Sequence, residues 1–174
     1  MLRFNRPAIA LHWLMALLIF AAFGLGWTMV DIPGFTPTKL KYFSWHKWLG
    51  VTVLLLAAIR LVWRLTHAAP PYDAAMPRWQ QNAAHGLHWL LYFLFFAVPL
   101  SGYLYSLAAG IPVVYLGIIP LPVVMEPNPE LKAVLKTIHI ALNKGMLVLI
   151  ILHFAAAMKH QLIDRDSLLK RMLP

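Results

Sequence analysis

Between Trp79 and Met125 the chain carries no Lys, Arg, Asp or Glu. A run of that length is too apolar for a solvated surface and longer than one crossing of a ~30 Å hydrocarbon slab requires. Ala8–Val30 is a second uncharged run, and Thr137–His160 is a third apolar stretch, with charge only at Lys144 and Lys159. Backbone polar groups in lipid must be satisfied within the segment, so such runs are read as helices. The pattern predicts four spans, at about 8–30, 44–65, 83–107 and 137–160, in one domain covering residues 1–174. The expected fold is an all-α membrane protein, a four-transmembrane-helix bundle. Residues 110–125 contain Pro112, Pro120 and Pro122 and cannot form a regular helix. They are expected to lie at the interface as a lid over one end of the bundle. The first run is too long for a signal-peptide core and lacks an Ala-x-Ala cleavage site, so it reads as a retained helix.

Composition agrees: 61% of residues are hydrophobic, 12% are charged and mean hydropathy is +0.69. The net charge of +9 is not a nucleic-acid signal, because the basic residues flank the apolar runs and mark topology and lipid head-group contact. Four spans place both termini on one side. That side carries Arg3, Arg6, Arg60, Arg64, Arg78, Lys159, Arg165, Lys170 and Arg171; the other carries Lys39, Lys41, Lys47, Lys132, Lys136 and Lys144. The bias favours a multi-pass protein of the bacterial inner membrane with cytoplasmic termini. Cysteine is absent, which excludes disulfides, thiolate-ligated haem, Cys-held iron–sulfur clusters and covalent haem attachment.

Within these spans, histidines recur at matched depths. His139 and His153 are fourteen apart on the last span, about 40° short of four full turns, and so share a face with ~21 Å between them along the axis. The same spacing separates His46 from Arg60, His12 from Gly26 and His88 from Gly102. With alternating helix directions, His12 and His153 fall at an inner level, and His46 and His139 at an outer one. Imidazoles inside a bilayer need partners. The economical partners are two b haems stacked across the membrane, each taking two neutral imidazoles.

Other residues keep more than one reading. Gly26 and Gly102 either leave room for a flat macrocycle or serve helix packing. Arg60 and Arg64 either pair with haem propionates or snorkel to the inner surface. His85 and His88 are alternative ligands, quinone-pocket residues or cross-helix hydrogen-bonding groups. His160, two turns beyond His153, either exchanges a proton with a reduced quinone or is a cation at a helix C-terminus. Lys47, Lys136 and Lys144 either steer a small anion to the outer face or neutralise propionates and mark the interface.

The chain resembles the bacterial cytochrome b561 family. The resemblance rests on LHWL opening the first span, His46 with Arg60 and Arg64 on the second, HGLH on the third, and His139-x13-His153 followed by His160. It covers the whole chain. It implies a bundle with two b haems, ligated by His12 and His153 and by His46 and His139. Free-standing members of this length resemble superoxide oxidases, which take an electron from superoxide at the outer face and reduce ubiquinone. In that comparison His160 matches a quinone-site position, while Ala10 stands where serine is common. The resemblance extends to the cytochrome b subunits of hydrogenases and formate dehydrogenases, which implies an alternative role as an electron-transfer subunit for a redox partner protein. A non-haem proton or metal transporter using the intramembrane histidines is a third reading.

Overall fold

The computed structural model of the protein describes residues 3–71, 76–166 and 168–173. Four long helices dominate it: α1 Arg6–Asp31, α2 Pro37–Thr66, α3 Arg78–Ala108 and α4 Pro129–Lys159. Each is long and apolar enough to cross a membrane. Three begin the same way. The side chains of Asn5, Thr36 and Asn128 accept hydrogen bonds from the backbone N–H groups of Ala8, Lys39 and Leu131, and proline follows within two residues. The cap satisfies a donor left free at the helix start, and proline has no N–H to lose there.

These starts explain where the helices outrun the expected spans. The second span is expected to begin at about residue 44, yet α2 begins at Pro37. A Thr-Pro pair there initiates a helix rather than breaking one. Likewise α3 starts at Arg78 and α4 at Pro129, so both carry a polar first turn outside the apolar slab. The expected connection at Thr66–Pro77 includes residues 72–75, which lie outside the described residues.

The helices pack in sequence, α1 on α2, α2 on α3 and α3 on α4. Among the described residues, α4 makes no close backbone approach to α1 or α2. A thin core of Met15, Ile19, Phe23, Val53, Ala57, Leu94, Val98 and Met146 fills the mid-depth of the bundle. Many large apolar side chains point outward instead, among them Leu17 (67% exposed), Phe93 (62%) and Phe154 (64%). A soluble bundle would bury them; lipid is the solvent they suit.

Residues 110–125, read from the sequence as a lid, carry a two-stranded hairpin, β1 Val114–Tyr115 and β2 Ile119–Pro120. Its turn needs Gly117, at φ +74°. The hairpin sits on α2, where Trp48 Nε1 donates to Val114 O at 2.7 Å and Thr52 pairs with the Tyr115 hydroxyl at 2.9 Å. The opposite end of the bundle gathers the termini. Phe4 N donates to Arg171 O at 3.2 Å, and Trp13 Nε1 to Met172 O at 2.7 Å.

Asn128→Ala removes the α4 cap and is expected to cost about 1 kcal/mol. A thermal melt of the detergent-solubilised protein should show a drop of roughly 2–4 °C.

Candidate redox centres between the helices

The wide separation of α4 from α1 and α2 leaves a space that side chains alone bridge. At the lid end, His46 of α2 faces His139 of α4 with ring centroids 6.3 Å apart. At the terminal end, His12 of α1 faces His153 of α4 at 6.1 Å. Two imidazoles on opposite faces of one iron put their centres ~6 Å apart, from two metal–nitrogen bonds of about 2 Å and roughly 1 Å within each ring. Met146 lies on α4 midway between His139 and His153, so the mid-depth core separates the two pairs.

The lid-end pair is oriented by its backbone surroundings. His46 Nδ1 lies 2.9 Å from Ala22 O. His139 Nδ1 lies 3.1 Å from Val98 O and 3.0 Å from the Ser101 hydroxyl, which itself donates to Val98 O. Carbonyl oxygens only accept, so each ring carries its proton on Nδ1 and leaves the Nε2 lone pair free. A ring N–H held by a carbonyl is the usual way a ligating histidine is aimed. Neither Nε2 has a hydrogen-bond partner among the described residues. A cavity with about 430 Å³ of unfilled space, counting its open mouth, lies beside both rings and is otherwise lined almost wholly by apolar groups. The residues of this level therefore fit a haem.

Gly26 and Gly102, read from the sequence as room for a macrocycle or as packing residues, lie against the facing imidazoles. A Cβ at Gly102 would come within 2.8 Å of His139 Cε1, and one at Gly26 within 3.2 Å of His46 Cε1. Each glycine lets the facing ring lie against its helix backbone.

The terminal-end level is more crowded. His88 of α3 joins His12 and His153, with its ring 5.4 Å from that of His153. Its Nδ1 is buried without a hydrogen-bond partner. Arg60 Nη1 lies 3.2 Å from His12 Nδ1, and its Nε donates to the Tyr92 hydroxyl at 3.2 Å. A guanidinium only donates, so here His12 accepts at Nδ1 and carries its proton on Nε2. An imidazole giving Nε2 to a metal needs the other tautomer, so ligation at His12 requires Arg60 to leave it. The level thus holds three imidazoles, two of which, His88 and His153, have no competing hydrogen bond among the described residues.

Arg64 stands over the rings of Trp89 and Tyr92, at 6.0 and 5.6 Å. It is partly buried and within cation–π range of both. His85 is exposed and accepts from Trp89 Nε1 at 2.9 Å, apart from the cluster that His88 joins. His67 is exposed and stacks on Trp63 at 3.8 Å. Lys136 and Lys144 are exposed on α4. Lys47 is partly buried beneath the lid and donates to Ser106 at 2.9 Å. His160 caps α4 and its Nδ1 meets Asp166 at 2.6 Å. The ligand-type atoms of His160, Asp164 and Asp166 lie within 4.8 Å of one another, but the Lys159 ammonium already sits on Asp164 at 2.5 Å.

Ser101, Tyr92 and Asp166 belong to these sites without any signal in the spacing of the histidines. The nearest hint is Ser101 beside Gly102, small polar and small apolar residues where α3 meets a facing ring.

Over nearly its whole length the chain is similar to known proteins. The profile of the family described as prokaryotic cytochrome b561 matches residues 3–174. Cytochrome b561 homolog 2 of Escherichia coli (strain K12) is 33% identical over 172 residues, 98% of this chain and 91% of its own length. Cytochrome b561 homolog 1 of the same organism is 34% identical over 176 residues, covering 99% and 97%. A Yersinia pestis protein named probable superoxide oxidase CybB is 31% identical over 170 residues, covering 95% and 93%. Four membrane-length helices, imidazoles facing one another across the bundle and full-length similarity to these proteins converge: the chain belongs to the prokaryotic cytochrome b561 family of haem b-binding membrane electron-transfer proteins.

Proposed function

We propose that this protein is a di-haem superoxide:ubiquinone oxidoreductase of the bacterial inner membrane, with its lid end outside and its termini in the cytoplasm. The observation that carries the reading is the facing of imidazoles at two depths of the bundle, 6.3 Å apart at one level and 6.1 Å at the other. The Yersinia pestis relative's name supports superoxide as the donor. The proposed net reaction converts two superoxide ions, one ubiquinone and two protons into two dioxygen molecules and one ubiquinol.

Haem b bound at each level supplies one-electron transfer between the two faces. The protein's own groups do the rest. His46 and His139 hold the outer level, aimed by the carbonyls of Ala22 and Val98 and the Ser101 hydroxyl. His12 and His153 hold the inner level, with His88 the adjacent third imidazole. Arg60 and Arg64 supply fixed positive charge beside that level, suited to propionates. Exposed Lys136 and Lys144 raise the local concentration of a small anion at the outer face. Lys47 adds charge beneath the lid through its Ser106 contact. Superoxide needs no protein acid or base to become dioxygen, because it loses only an electron. Quinone does need protons, and His160 at the inner end, with His85 and His88 on α3, is placed to deliver or relay them.

Two measurements test this reading. Purified protein should show two b haems per chain in a dithionite-reduced minus oxidised spectrum, reduce rapidly with potassium superoxide and reoxidise with a short-chain ubiquinone. Two haems that ignore superoxide would replace the reading with a partner-dependent electron carrier. Replacing Gly102 with Val should displace His139 and reduce the haem content from two per chain to about one, counted by pyridine haemochrome. Gly26→Ala, with its wider 3.2 Å clearance, should retain both haems. Full haem content in Gly102→Val would sink the ligand assignment of His139.

A further inference from the structure

The chain does not end α4 in the ordinary way. After Lys159 it widens into a five-residue π turn, His160–Asp164, and Arg165 then adopts a left-handed conformation at φ +53°. Glycine or asparagine usually occupies such a position, because a Cβ there is strained. The N–H groups of Arg165 and Asp166 both turn back onto His160 O. This reversal brings the Asp166 carboxylate to His160. Asp166 Oδ2 lies 2.6 Å from His160 Nδ1, while Oδ1 accepts from Leu168 N at 3.1 Å. Both carboxylate oxygens are thus engaged. Asp164 also approaches the ring, at 3.1 Å, but the same oxygen is bound by Lys159 at 2.5 Å.

The segment carrying Asp166 is itself tied down. Arg171 donates from Nη1 to Pro71 O at 2.6 Å, and its carbonyl accepts from Phe4 N at 3.2 Å. The His160 side chain is only 15% exposed and that of Asp166 21%. Local strain held by surrounding contacts, at a π turn, is a frequent mark of a functional position.

We infer that Asp166 is a positioning residue for His160, fixing its proton on Nδ1 so that Nε2 is the atom that exchanges a proton with the quinone. The inference rests on the proposed quinone reduction at the inner end. In the doubly protonated ring, Nδ1–H donates to Asp166 and Nε2–H is available to a reduced quinone oxygen. Once that proton has moved, the neutral ring keeps Nδ1–H against the carboxylate, and Nε2 can accept the next proton from water. An oriented carboxylate behind an imidazole selects the tautomer in this way. The electrons come from the proposed superoxide oxidation, so the step at His160 transfers a proton only.

The test uses the full haem-loaded chain in proteoliposomes, with the variants Asp166→Asn, Asp166→Glu and His160→Gln. The first readout is histidine ¹⁵N NMR, in which the His160 signals are those lost in His160→Gln. Wild type and Asp166→Glu should show the Nδ1–H tautomer. Asp166→Asn should show Nε2–H or a mixture, because an amide can turn its NH₂ toward Nδ1. The second is reoxidation of dithionite-reduced protein by short-chain ubiquinone. Asp166→Asn should lower kcat about 10-fold, at the lower edge of what a removed orienting partner costs. Its KM should change by less than about 2-fold, and Asp166→Glu should recover most of the rate. A slow His160→Gln with Asp166→Asn equal to wild type in tautomer and kcat would overturn the inference alone. Full-speed reoxidation by His160→Gln would overturn the quinone-site reading together with it. Loss of rate in Asp166→Asn with an unchanged tautomer and no rescue by glutamate would mark a purely structural role and also overturn it.

Discussion

The cost of leaving an imidazole unpartnered in an apolar bundle is the constraint around which this structure is arranged. Four helices could pack more tightly than these do, yet α4 keeps its backbone away from α1 and α2, and histidines meet in the intervening space. At the lid end the protein satisfies one nitrogen of each ring with a backbone carbonyl and leaves the other free. That division suits a metal on the free nitrogen and explains why the rings are aimed before anything binds. The apolar residues around them exclude water, which strengthens every remaining electrostatic contact.

The terminal end solves the same problem differently. Arg60, which also donates to the Tyr92 hydroxyl, engages His12, and His88 retains an unsatisfied nitrogen beside His153. The two levels are therefore unequal. One is preorganised by neutral hydrogen bonds; the other contains a guanidinium whose partner must change for His12 to ligate. The terminal-end rings thus have a guanidinium in direct contact, which the lid-end rings lack among the described residues. The C-terminal segment at this end is tied to α1 and to the α2–α3 connection.

Much of this was readable in the residues. The apolar runs specified four helices because lipid permits little else, and a spacing of fourteen specified depth and face because the helical period is rigid. The resemblance carried by LHWL, HGLH and the His139–His153 pair led to the family that the full-length matches establish. Helix starts were less legible, since Thr-Pro and Asn-Pro read equally as turn signals and as caps until the following residues are seen to be helical. For Gly26 and Gly102, periodicity says which side of the helix a residue faces and not which ring lies against it. The 2.8 Å clearance at Gly102 depends on how closely α3 and α4 approach.

What the sequence determined by itself is the class of fold and the levels of its histidines. Both follow from short-range rules, a hydrophobic length and a helical repeat, that hold whatever the helices pack against. Tertiary structure alone decided which atoms pair: Arg60 with His12, Lys47 with Ser106, the carbonyls of Ala22 and Val98 with the lid-end rings, and Asp166 with His160. Most of these contacts join residues on different helices, and the last depends on a left-handed residue that no periodicity encodes. Interhelical distance and local chain reversal are set by the packing of the whole bundle, which is why the choice of tautomer at each imidazole could only be read in three dimensions.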